Sequence, residues 1–206
     1  MKKIPKLFLL FSLILLIHNC ASYTATSPMP QVTTSPHFRP DEFDRLVVIV
    51  SDQTRKFHRS GALRQVEDEF MKVVIQRGYT LVSRSDIDKI IDELNFQRSS
   101  LTEQQVARIG HLLNVPAIIL VSINNVTTQR YQPIISIRGK NYYFTLVNIS
   151  ARLISTEKGE VLWISSYTGK YQVQNQSRDV ESQALAPVAK VVASGLPSFY
   201  SKNRIR

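Results

Sequence analysis

One cysteine in 206 residues excludes an internal disulfide and leaves Cys20 to be explained by its place in the chain. Glycine is scarce too, and none of the seven builds a G-x-G-x-x-G or G-x-x-x-x-G-K-[ST] loop that would cradle phosphate. His37, His58 and His111 lie far apart, no H-E-x-x-H pair occurs, and paired cysteines are absent, so no metal set is implied. No serine stands in a G-x-S-x-G elbow. The acidic pairs Glu67/Glu69 and Asp92/Glu93 each fall on one stretch of helix, where close neighbours do not converge on a substrate. The expectation is a non-enzymatic protein without a cofactor. Basic residues outnumber acidic ones by 26 to 16, yet they are scattered, without a helix-turn-helix or RNA-binding signature. Nucleic acid is therefore not expected as a partner.

What is present begins with a leader. Lys2, Lys3 and Lys6 precede an apolar core, LFLLFSLILLI, that is too short to span a bilayer as a helix. Cys20 follows directly, in a place that resembles a lipobox, with Ile17 in its apolar position and His18 and Asn19 where small residues are usual. The reading is a lipoprotein signal over residues 1–19 and lipidation of Cys20. An ordinary secretory signal and an uncleaved anchor are the alternatives. Residues 20–41 are rich in Ser, Thr and Pro and show no period, so they read as a disordered tether. Twenty such residues reach at most ~65 Å.

Residues 42–200 suit one domain, with 201–206 as a tail. The continuous apolar run at 46–50 predicts a strand buried on both faces. Leu63, Val66, Phe70, Val73 and Val74 recur at helical spacing, and Gly78 predicts the stop. A short strand at 80–83 precedes a helix carrying Ile87, Ile90, Ile91 and Leu94, with Ser85 as its N-cap. Thr102 and Gln105 form a capping-box pattern ahead of Val106, Ile109, Leu112 and Leu113. Pro116 ends that helix before a strand at 117–123. Residues 142–154 and 160–173 read as an antiparallel pair turning at 156–159, and 182–196 as a closing helix. The order is β-α-β-α-α-β-β-β-α, an α/β fold with a mixed sheet packed by helices.

Three stretches carry a family resemblance. Gly78-Tyr-Thr-Leu-Val-Ser-Arg84 with the following DIDKIIDEL, Ala107 to Ser122 (ARIGHLLNVPAIILVS), and the turn from Ser155 to Val161 resemble packing motifs of the CsgG-like envelope lipoproteins. That superfamily includes the curli secretion channel and the LpoB-type activators of penicillin-binding proteins. The resemblance implies a CsgG-like α/β sandwich and palmitate on Cys20. It also implies an outer-membrane anchor and a periplasmic domain that binds envelope proteins in secretion, curli-type assembly/transport or envelope biogenesis. A homo-oligomeric ring is one assembly it allows; control of a peptidoglycan synthase is the alternative function. One pore hairpin fits the region after Ile134, but the polar run after Tyr167 offers no second, so a pore from this chain alone is not expected.

The partner-contact candidates are the basic spot Arg55, Lys56 and Arg59, and Arg138 with the aromatic run Tyr142, Tyr143 and Phe144. Three consecutive aromatics cannot all face inward on a strand. Trp163 is the last candidate, with a core position as its alternative. Arg84, beside Asp86, Asp88, Asp92 and Glu93, is read as an ion-paired helix start.

Overall fold

The computed structural model describes residues 28–57, 61–131, 142–173 and 180–199. The leader, Cys20, Arg59, Arg138 and the tail lie outside them, as does the side chain of Tyr142. The strands are β1 (Gln31–Thr34), β2 (Arg45–Asp52), β3 (Thr80–Leu81), β4 (Ala117–Tyr131), β5 (Tyr142–Ser155) and β6 (Val161–Val173). The helices are α1 (Ala62–Gln76), α2 (Arg84–Glu93), α3 (Glu103–Leu112) and α4 (Val180–Ser194). From β2 onward this is the expected α/β order, and the strands form one six-stranded mixed sheet, β1-β6-β5-β4-β2-β3. β2 runs parallel to β3 and β4; the other neighbours are antiparallel.

The apolar run of β2 is sandwiched. Leu46, Val48 and Val50 point to the side of α1 and α4, where Val66, Phe70, Val74, Leu185 and Val192 complete the larger core. Val47 and Ile49 point the other way, to Ile87 and Ile91 of α2 and Val106 and Ile109 of α3. Burial on both faces is why this strand shows no alternation in sequence.

Local chemistry sets the helix ends. Gly78, at φ +93°, lets the chain turn back after α1. The α2 cap is Ser83, not Ser85: its side chain accepts from the Asp86 backbone N–H, because Ser83 holds the extended backbone that precedes the first helical turn. Thr102 and Gln105 make the full reciprocal box at α3. Asn95 and Asn114, both at positive φ, close α2 and α3 as left-handed caps.

The tether boundary is corrected. Residues 31–34 are a strand and not part of a featureless linker: β1 pairs antiparallel with β6, from Gln31 opposite Ser166 to Thr34 opposite Trp163. Ser35 adds a backbone bond to the Leu162 carbonyl at 2.8 Å. Phe38 and Phe43 are buried beneath this entry segment. The domain therefore begins near Gln31. All four β1 residues are exposed, so backbone pairing holds the strand and no burial pattern announces it. β4 is also longer than expected, continuing past Ile123 to Tyr131.

Candidate interaction surface

The helices cover the sheet unequally. Pairing between β2 and β4 ends at Asp52 and Ile123, but β4 and β5 stay paired to Tyr131 and Tyr142. β5 and β6 continue to Tyr143 and Val173. This three-stranded extension is covered on one face by Ala184, Leu185 and Val188 of α4, which share a core with Val126 and Val147. On the other face, α3 reaches as far as Arg152, whose guanidinium donates to Glu103 at 2.7 Å. Beyond Arg152 no described element covers it.

Alternation places a defined set of side chains on that open face. Ser150 and Ser166 form one row, with Ser122 buried at its β4 side, Asn148 and Thr168 the next, then Leu146 with Lys170, then Phe144 with Gln172. Asn124 is the extra residue at a bulge between Ile123 and Asn125. Its Nδ2 donates to Asn148 Oδ1 at 2.7 Å and to Ser150 Oγ at 3.0 Å. Asn148 Nδ2 donates in turn to Thr168 Oγ1 at 2.7 Å. The three strands are thus joined by a side-chain relay on the solvent side. Leu146 and Ile164 remain 39% exposed within this polar field. Lys170 Nζ sits 4.0 Å from the centre of the Phe144 ring, a cation–π contact.

Such a face offers no nucleophile–base pair. It offers preset hydroxyl and amide groups around isolated apolar side chains, the mixture that protein interfaces use. Among the described residues no group of three His, Cys, Asp or Glu side chains is placed to hold a metal.

The other sequence candidates fall in different places. Trp163 is corrected from contact to core: it is 1% exposed, and its Nε1 donates to the Gly195 carbonyl at 3.0 Å. It lies on the α4 side of β6, where the indole has both apolar packing and an acceptor. Lys56 is committed inside the fold, to the Val126 carbonyl at 2.8 Å and the Glu181 carboxylate at 3.3 Å. The loop that carries it is organised by buried Asp52, which accepts from the Thr54 and Phe57 amides. Arg55 is exposed in that loop at positive φ. Tyr143 is half-buried on the α4 side, and Phe144 half-buried on the open side.

Arg84 pairs across helices and not with the acids of its own helix. Its Nε lies 3.0 Å from Glu67 Oε1, without N–H alignment, and its Nη2 lies 2.5 Å from Asp68 Oδ1. Arg98 pairs with Asp88 in the same cleft, which has a volume of about 190 Å³. Burial pushes the Glu67 carboxyl above the ordinary carboxylate range, against the opposing pull of Arg84.

No family model matches the chain, and no curated protein sequence matches it. Solved structures do. The lipoprotein GNA1162 from Neisseria meningitidis is similar with a TM-score of 0.50 at 12% identity, over 72% of this chain and 97% of that one. The PelC dodecamer subunit from Paraburkholderia phytofirmans gives 0.48 at 13% identity, over 82% and 99%. The LpoB C-terminal domain from Salmonella enterica gives 0.40 at 15% identity, over 64% and 83%. At 12% identity the likeness to GNA1162 is one of fold alone.

Proposed function

We propose that this chain is a non-enzymatic lipoprotein of the bacterial envelope, acylated at Cys20 and anchored on the outer membrane. Its periplasmic domain binds other envelope proteins in secretion or envelope assembly through the open face of β4, β5 and β6. The observation that carries the binding role is the uncovered face itself. Its Asn124–Asn148–Thr168 relay is already hydrogen-bonded, and Leu146 and Ile164 stand exposed beside it. A surface ordered before a partner arrives loses little side-chain freedom on docking. The leader and the position of Cys20 support the anchoring.

A photo-reactive amino acid placed at Leu146, Ile164 or Thr168 in cells tests the binding role. Crosslinks to envelope proteins from these positions, and none from Ile75 on α1, are expected. Silence at all three overturns it. A crosslinked cell-wall synthase assigns the chain to control of peptidoglycan synthesis, and a crosslink to a second copy assigns it to a ring. Anchoring is tested apart: Cys20→Ala is expected to abolish palmitate labelling and membrane retention.

A further inference from the structure

β1 is held by little besides its backbone. All four of its residues are exposed, Val32 among them at 44%. Gln31 and Thr33 stand opposite Ser166 and Ile164 of β6, and the Ser35 amide adds its bond to the Leu162 carbonyl. β1 is the edge strand, so the strands beyond it stay paired to one another without it.

One side-chain seat aids the pairing. Gly195, just past α4, has no Cβ, and Pro30 and Val32 of the entry segment close over it. An added Cβ would fall 2.6 Å from Val32 Cγ2, 2.9 Å from Ser165 Oγ and 3.2 Å from Pro30 Cγ. Ser165 cannot yield, since it is buried and its hydroxyl donates to the Val192 carbonyl at 2.7 Å. Firm attachment begins only at Phe38, which is 5% exposed and packs against Phe43 with ring centres 5.7 Å apart.

Segments with few buried apolar contacts and solvent-exposed backbone bonds open at a small fraction of the free energy of global unfolding. Releasing residues 30–37 also returns their backbone freedom, which offsets the bonds that break. We infer that β1 is a releasable strap: residues 30–37 leave β6 as one unit while the rest of the domain stays folded, and Phe38 stops the release. With β1 seated, the stretch from Cys20 to Gln31 spans at most ~36 Å. With β1 free, the stretch runs on to Phe38 and spans at most ~59 Å, so the domain gains ~23 Å of reach. That gain rests on the acylation proposed for Cys20; the opening itself does not. Release also uncovers Ile164, which stands opposite Thr33 on the face proposed to bind envelope proteins.

Hydrogen exchange followed by NMR, on the mature chain carrying Cys20→Ser, tests the opening without a lipid. The amides of Thr33, Ser35, Ile164 and Ser166 all lie in the seam between β1 and β6. They are expected to exchange together, roughly a hundredfold faster than Ile149 in the middle of the sheet, and with little dependence on dilute urea. Gly195→Ala is expected to speed all four roughly tenfold further relative to Ile149. Thr33 and Ile164 are directly opposed, at a spacing that suits a disulfide. Thr33→Cys with Ile164→Cys is expected to abolish the fast exchange when oxidised and to restore it when reduced. Exchange of the four amides only at the rate of Ile149, or a Gly195→Ala variant that exchanges like the parent, overturns the inference. Palmitate labelling of the unsubstituted chain reports separately on Cys20, so the two readings fail by different measurements.

Discussion

Lys56 and Glu181 form an ion pair, Nζ to Oε1 at 3.3 Å, that joins the loop after β2 to the first turn of α4. The same ammonium donates to the Val126 carbonyl on β4, so one side chain ties three elements. Both partners are partly exposed, which limits the ion pair; the backbone carbonyl adds to it. Lys56→Met is expected to lower unfolding free energy by about 1 kcal/mol, read from urea midpoints. Lys72→Met, which breaks only an exposed pair with Glu69 one turn away on α1, is expected to change it by less than about 0.5 kcal/mol.

The Glu67–Arg84 contact makes a prediction about pH. Glu67 has a folded-state pKa above the ordinary glutamate value of 4.5, chiefly because burial disfavours the charge. Its contribution to stability is therefore fully present below pH 4.5 and lost as pH rises through the folded value. Glu67→Gln removes that titration. The stability difference between parent and variant is expected to move in favour of the parent as pH falls from neutral toward 4.5. Urea titrations of both proteins across that range check it.

Tyr79 gives the alkaline counterpart. Burial pushes its phenol up to about 12, and its hydroxyl donates to the Pro197 carbonyl at 2.9 Å. Tyr79→Phe leaves that carbonyl without its donor, at an expected cost of about 1 kcal/mol at neutral pH. Because the folded value is raised from 10, the parent's advantage holds below pH 10 and disappears as pH rises through about 12. Urea midpoints of parent and variant, compared between neutral pH and that range, test this.

Gly110 marks where α3 lies closest to the sheet. A Cβ there falls 2.0 Å from Thr156 Cγ2 and 3.3 Å from Ile118 Cδ1. Thr156 is not free to turn away, since it is buried and its hydroxyl donates to the Val115 carbonyl at 2.6 Å. Gly110→Ala is expected to destabilise by about 1–3 kcal/mol. Gly61→Ala, with nothing within 4 Å of the added atom, is expected to stay within about 0.5 kcal/mol. Thermal melts of the two variants give the comparison.

Helices were the most legible part of this fold because their signals are local. The spacing of Val66, Phe70, Val73 and Val74 marks the buried stripe of α1, and Thr102 with Gln105 marks the start of α3. Ser83 and Ser85 are equivalent as letters; only the chain's path shows which oxygen faces the Asp86 amide. β1 escaped notice because Gln31–Thr34 buries nothing and is held by backbone bonds. The candidate surface was half legible. Phe144 could be singled out from its run of aromatics, but the Asn124–Asn148–Thr168 relay needs a bulge and a register that no local pattern encodes. Lys56 read as a surface cation because its partner stands 125 residues away.

The pairing of β1 has a consequence for the outer rim of the sheet. The bond from the Ser35 amide to Leu162 means that Thr33 and Gln31 also turn their amides toward β6, while Val32 and Thr34 turn theirs outward. Pro30, just before the strand, falls on the outward side by that alternation, and Pro36 opens the turn that follows it; neither has an amide to give. The outer rim of the sheet therefore presents two donors between two prolines, too few to template another strand. On the proposed lipid anchor, molecules held side by side in two dimensions would collide constantly. These prolines keep such encounters along this rim from growing into a continuous sheet.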